Sequence, residues 1–401
     1  MVLGSFCIAV YMGGTLMFGL TAFFEPIARE FGWSYTEVSI AFCLRGLEMS
    51  IVAPIIGFFI DRFGVKRLTF LGVIMAGSAF ILLSVTNSLA VLYSAFFLMA
   101  AGAGGCTGTS LMTAVANWFG RNVGKAMGIV SCGFGAGGVL IPLVVRLIDL
   151  YGWRSASVVL GLGMWTLGIP LSFVIGRKPR QCGLSFDGEI SVGTSRAYGA
   201  GSKEASGFKA VLKGGNFWKI GIPEAIRAMI TQAVVTHVMP YLSSVGVTRA
   251  NAGFVATSIA LFSTIGRFGF GWLGDIFDKR YVLAVAYCLL GLGVFAFSHI
   301  EVRWFILAFL LLFSPAQGGG ASLRGAIIRD YFGTADFGKL LGIIMGVSAV
   351  GGMIGPFVAG WAFDNLDSYQ PAWLSLAGSS VIAMVLILGI RTGSHVGKPR
   401  R

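Results

Sequence analysis

Seven ionisable side chains interrupt stretches of sequence that otherwise avoid water: Arg45, Glu48, Arg146, Glu224, Arg227, Arg267 and Arg324. The segment "LFSTIGRFGFGW" shows the pattern in its purest form, since every residue but Arg267 is apolar or small. A guanidinium keeps its proton and can hold a carboxylate with two parallel hydrogen bonds. Carboxylates such as Glu48 and Glu224 can instead gain and lose a proton. Anion binding by arginine and proton exchange by an acid are therefore the chemistries these residue types offer.

Pairing within a helix limits which of the seven are free. Arg45 and Glu48 are three apart, as are Glu224 and Arg227, so each pair shares a helix face and can neutralise itself as a structural pair. Alternatively one of the two acids carries the coupling proton, and Glu48 lies nearer mid-span. Arg146 has Asp149 close by and is expected to snorkel to an interface. Arg324 is expected to anchor near Asp330. Arg267 has no acid within a turn, so it either bridges to Glu48 or Glu224 on another helix or anchors a substrate carboxylate. His237 could titrate near neutrality, or serve as a hydrogen-bonding interface residue. Arg45, Tyr11 and Gln317 join Arg267 as substrate-binding candidates, with Asn117 and Gln232 as further polar lining.

The elements that must position these residues are membrane helices. Hydrophobic residues make up 56% of the 401 and charged residues 12%, against roughly 25% charged in a soluble domain. Lipid-soluble runs of about 20 residues recur at 3–24, 36–60, 68–85, 89–115, 126–148, 156–175, 220–239, 252–274, 281–298, 304–328, 340–363 and 372–390. The expected fold class is all-α, with twelve transmembrane helices in two parallel six-helix repeats. Expected boundaries are 1–176 for the first half, 177–217 for a Gly- and Ser-rich linker, 218–391 for the second half and 392–401 for a tail. The first run has no charged leader and no small-residue cleavage pattern, which makes it a retained span.

Net charge is +13, and its placement argues for topology and not for nucleic acid. Of the 30 Lys and Arg, 21 fall in connections after even-numbered spans, in the linker or in the tail, against four in the opposite set. The positive-inside rule puts both termini in the cytoplasm, in a plasma (inner) membrane. The six Cys are far apart with no C-x-x-C pair, so neither a metal site nor a cofactor is expected. Gly133, Gly135 and Gly138 have dinucleotide-loop spacing, but no strand precedes them. Gly128, Gly133, Gly137 and Gly342 are expected to let helices pack closely in lipid.

The two halves also repeat each other. "GFFIDRFGVKR" aligns with "GWLGDIFDKR", matching Asp61 to Asp275 at a separation of 214, and "WFGRNVGKAMGIV" aligns with "YFGTADFGKLLGII", bringing Pro142 onto Pro356. Separated matches at one offset indicate a duplicated unit, the build of a transporter with a central substrate site.

On these motifs the chain resembles the major facilitator superfamily. The loop "GFFIDRFGVKR" is similar to the family signature between the second and third helices, with Val65 where Arg is usual. "WFGRNVGKAMGIVSCGFGAGG" and "FFEPIAREFGWSYTEVS" resemble the monocarboxylate transporter and oxalate/formate antiporter group. The resemblance implies a monomeric secondary transporter of small organic anions, a monocarboxylate above all, working by alternating access with proton symport; carboxylate exchange and efflux of amphipathic drugs are the alternatives. It also implies that Asp61, Arg62, Lys66, Asp275, Lys279 and Arg280 belong to gating loops. Arg267 matches the group's arginine of the eighth span, whereas the group's acid four residues earlier is Ser263 here. Beyond substrate, protons and membrane lipid no partner is expected. A membrane-embedded enzyme is not, because the three His are scattered.

Overall fold

The computed structural model describes residues 2–47, 64–106, 110–111, 123–175, 214–302, 304–332 and 337–390. Among them regular structure is entirely helical, as a chain in lipid requires when each backbone polar group must be satisfied inside its own segment. The first half holds α1 (Val2–Met12), α2 (Thr21–Phe31), α3 (Tyr35–Leu47), α4 (Val65–Ser84), α5 (Leu89–Cys106), α6 (Val123–Ala136) and α7 (Ile141–Ile175). Its partner half holds α8 (Gly215–Ser244), α9 (Arg249–Ile276), α10 (Lys279–Phe297), α11 (Trp304–Phe332), α12 (Phe337–Leu366) and α13 (Gln370–Leu388).

Nine stretches of the described residues are long and apolar enough to cross a membrane. One of them, Cys132–Ile175, is 44 residues long and turns back at Gly152, whose φ of 78° only glycine adopts without strain. Two spans therefore run through it. Helix α8 spans 30 residues but carries Glu224 and Arg227, which lower its hydropathy, and Tyr35–Leu44 of α3 is a shorter apolar helix. These described elements are consistent with the twelve crossings expected from the sequence. Three details differ from that expectation. The first crossing runs on from residue 24 to Phe31, joined by a π-helical turn at Gly13–Met17 in which the Phe18 amide donates to the Gly13 carbonyl. Helix α8 begins at Gly215, inside the expected linker. Arg324 finds other surroundings, described below.

Lys219 donates to the Gly389 carbonyl, and Gly4 packs on Leu171 and Ile175. Val2, Ile175, α8's start and α13's end thus share one end of the bundle, here termed the near end; the opposite end is the far end. Glycines set the closest helix approaches. A methyl group on Gly266 would sit 2.1 Å from the Pro315 carbonyl oxygen, and one on Gly318 would sit 1.9 Å from that of Ser263. Helices α9 and α11 therefore touch backbone to backbone. Gly133 of α6 and Gly137, in the 3-10 turn that follows it, approach α1 in the same way, at 3.0 Å from the Phe6 and 2.3 Å from the Val10 carbonyl oxygen. Gly342 is the exception among the expected packing glycines: among the described residues nothing lies within 4 Å of a methyl group placed there. Large apolar side chains such as Leu3, Phe97, Phe254, Phe268 and Trp304 cover the outside of the bundle, which is where lipid solvates them.

Candidate anion-binding site

Helices α8 and α11 bring two guanidiniums to one carboxylate, and α9 carries a third, Arg267, nearby. Glu224 and Arg227 stand three apart on α8, and the Arg227 Nε donates to both Glu224 oxygens at 3.1 and 3.0 Å while Nη2 donates to Oε1 at 2.5 Å. Arg324 of α11 reaches the same carboxylate, at 2.5 Å. Arg227 also donates to the Gln317 carbonyl at 3.4 Å. Glu224 and Arg227 are only 2% and 5% exposed, so each charge would be costly without the other. Gly320 makes the crossing possible, since a methyl group there would sit 2.7 Å from the Arg227 Cδ.

Arg267 lies on α9 about 12 Å, eight residues, from Asp275. It is within electrostatic reach of Arg227 and of Cys132 across the interface between halves. Thr264, three residues earlier and on the same face, touches that interface too: a methyl group on Gly135 of α6 would collide with its Oγ1. Among the described residues Arg267 makes no ion pair, and its Nε is buried without an acceptor. Gln317 Oε1 and Arg324 Nε are buried without partners as well. Among the described residues the cluster holds three positive groups, Arg227, Arg267 and Arg324, against one negative, Glu224.

The other residues singled out in the sequence fall into several places. Arg324 is not an anchor beside Asp330: it reaches Glu224 instead, and Asp330 takes Lys279 at 2.5 Å. Arg146 is exposed, and Asp149 turns to Arg249 at 2.8 Å. The Tyr11 hydroxyl donates to the Leu160 carbonyl at 2.6 Å inside the first half. His237 is fully enclosed at the far end of α8, with Nδ1 at 3.1 Å from the Tyr369 hydroxyl and Nε2 at 3.0 Å from both the Ser39 hydroxyl and the Pro356 carbonyl. A carbonyl only accepts, so Nε2 carries the proton and Nδ1 accepts from Tyr369. Arg280 pairs with Asp278 at 2.9 Å and donates to the Ile390 carbonyl, while Asp275 is exposed. The Lys66 ammonium stands 4.9 Å from the centre of the Phe173 ring. Glu48, Asp61, Arg62 and Asn117 lie outside the described residues; Arg45 and Gly128 lie on α3 and α6, where only the backbone is described.

A family model for the Major Facilitator Superfamily matches residues 4–243 and 225–401. The chain belongs to that superfamily. Curated relatives include monocarboxylate transporter 12 of Mus musculus, 24% identical with 92% of this chain and 80% of that protein covered. The oxalate:formate antiporter of Oxalobacter formigenes is 25% identical, covering 92% and 86%. An uncharacterized MFS-type transporter, YcxA of Bacillus subtilis (strain 168), is 26% identical over 86% and 84%. A crystal structure of a bacterial homolog of the human lysosomal transporter Spinster shares the fold, with a TM-score of 0.70 at 16% identity over 96% and 94% of the two chains. The protein is an integral membrane transporter of this fold.

Several features of the site carry no signal in the sequence. Arg324 and Glu224 are 100 positions apart, and only the packing of α8 beside α11 shows that they meet. The far-end contacts of Asp149 and Asp364 did have one: both close the fifth span of their repeat.

Proposed function

We propose that the protein moves a small organic anion, a carboxylate in the first place, across the membrane by alternating access. The observation that carries this reading is Arg267, a guanidinium deep in the bundle, at the interface between halves, with no carboxylate partner among the described residues. Leaving a charge at that depth unmatched costs on the order of 3 kcal/mol or more. A carboxylate seated on the Arg267 fork removes that cost, and only while it is bound. Substrate binding would then lower the barrier to the two halves closing over the site. The relatives named as monocarboxylate transporter and oxalate:formate antiporter support the same class.

Glu224 is the described acid placed for proton coupling. It shares Arg227 and Arg324, so an arriving carboxylate that draws one guanidinium away leaves Glu224 under-neutralised and ready to take a proton. Glu48 is the second candidate, and His237 a third from its place between the halves. Exchange of two carboxylates is the second reading, favoured by the antiporter among the relatives. The basic connections and tail support a plasma-membrane location with both termini cytoplasmic.

The test is uptake by purified protein in liposomes, with an inward proton gradient and labelled lactate, pyruvate, formate or oxalate. Gradient-driven uptake, lost in Arg267→Gln and partly kept in Arg267→Lys, is the expected result. Exchange indifferent to the gradient selects the second reading. Uptake that survives Arg267→Gln at unchanged affinity overturns the anchor, and movement of amphipathic drugs alone overturns the substrate class.

A further inference from the structure

Two of the carboxylates that join the halves at the far end occupy matching places in the repeat. Asp149 lies near the far end of α7's first span, and Asp364 lies near the end of α12, 215 positions later. Each meets the first residues of a helix in the other half. Asp364 accepts from the backbone amides of Tyr35 at 2.9 Å and Thr36 at 2.6 Å, and from the Thr36 hydroxyl at 2.5 Å. Asp149 accepts from Arg249 Nε at 2.8 Å. Tyr35 opens α3 and Arg249 opens α9, at positions 214 apart.

The local chemistry explains why α3 draws a carboxylate from across the interface. Ser34 and Glu37 cap each other's backbone amides, at 2.9 and 3.1 Å, which leaves the amides of Tyr35 and Thr36 as open donors at the positive end of a helix. Asp364 fills both. On the other side, Arg249 also donates to the Ala22 carbonyl at 3.1 Å and stands 3.6 Å from Glu25, so it binds the first half at three points. Beneath the two carboxylates, the Thr21 hydroxyl donates to the Thr236 carbonyl at 2.8 Å and the Cys43 thiol to the Met353 carbonyl at 2.9 Å, both across the same interface.

We propose that Asp149 and Asp364 are a symmetric pair of clasps that hold the far end closed and release together when that end opens. The proposal rests on the alternating-access reading. Both carboxylates are exposed, so water can take over the hydrogen bonds as the halves part. Such bonds are reversible latches; a fully buried ion pair would weld the halves.

Cys43 reports the state of the far end, because the residue is only 8% exposed and its thiol is bonded across the interface. The experiment keeps Cys43 as sole cysteine and follows its reaction with a membrane-impermeant maleimide applied from the far side, with no substrate present. Asp149→Asn with Asp364→Asn is expected to raise the labelling rate on the order of tenfold, the shift that losing charge-assisted bonds produces in a two-state equilibrium. Gly360→Leu is the wedge control, since a methyl group there would already sit 2.6 Å from the Ser39 hydroxyl and 2.9 Å from the Tyr35 carbonyl oxygen. Faster labelling in the wedge but not in the Asn pair overturns the clasps and leaves alternating access standing. No acceleration in either variant means the far end does not open, and both readings fall. Should the Asn pair fold poorly, the single variants Asp149→Asn and Asp364→Asn serve instead: faster labelling in each supports the clasps, and unchanged labelling in both counts against them.

Discussion

Glu224 holds two buried guanidiniums, so its loss is felt as uncompensated charge. Glu224→Gln is expected to destabilise the protein by roughly 3–5 kcal/mol, the usual cost of removing one partner from a buried ion pair. Thermal unfolding in detergent checks this, and an unchanged midpoint would show that Arg227 and Arg324 find other anions. The Glu224–Arg227 pair was legible because residues three apart on a helix must meet. Arg324 was misassigned because sequence distance favours Asp330, six residues away, over a carboxylate 100 residues away; tertiary packing reverses that order, and Lys279 occupies Asp330. Arg267 stood out for the lack of a nearby acid, and its surroundings supply none among the described residues.

At the scale of helices, closeness is set by residues that lack a side chain. Gly318→Leu would push α11 from the α9 backbone it touches, and a loss of about 1–3 kcal/mol is expected, as for overpacking generally. Gly342→Ala is expected to be neutral or to stabilise by up to about 1 kcal/mol, because no described residue crowds a methyl group there and alanine favours helix. Thermal midpoints of the two variants, measured side by side, decide whether glycine identity or glycine position matters. Sequence spacing treats all these glycines alike, since only a neighbouring backbone distinguishes them. The start of α10 offers a pH test. Partial burial pushes the Asp278 carboxyl up, but hydrogen bonds from the Arg280 side chain and amide outweigh it and hold the group below its ordinary value. Stability from a depressed acid is complete above the unfolded pKa, about 3.9, and is lost as pH falls below it. Asp278→Asn, which keeps the cap but not the charge, should therefore narrow the gap in thermal midpoint between about pH 7 and pH 3.5. An unchanged gap would remove Asp278 from the acid response.

For the whole molecule, the run lengths and the duplicated motifs made the fold legible before any coordinates, because lipid leaves a chain few alternatives to helices. What they could not convey is which side chains cross between the halves, since those pairs obey no sequence period. The basic connections predict that a protease site added after Arg401 is cut in intact cells only after permeabilisation; cleavage from outside would invert the topology. The far-end contacts carry one more consequence. The carboxylate near the end of α12 reaches the start of α3, and the one near the end of α7's first span reaches the start of α9, which is the reciprocal contact found between two copies of one subunit in a two-fold dimer. The chain is thus built as a covalently tethered dimer of unequal copies. Its halves, co-expressed as separate polypeptides divided within 177–213, are expected to find each other and co-purify without the tether.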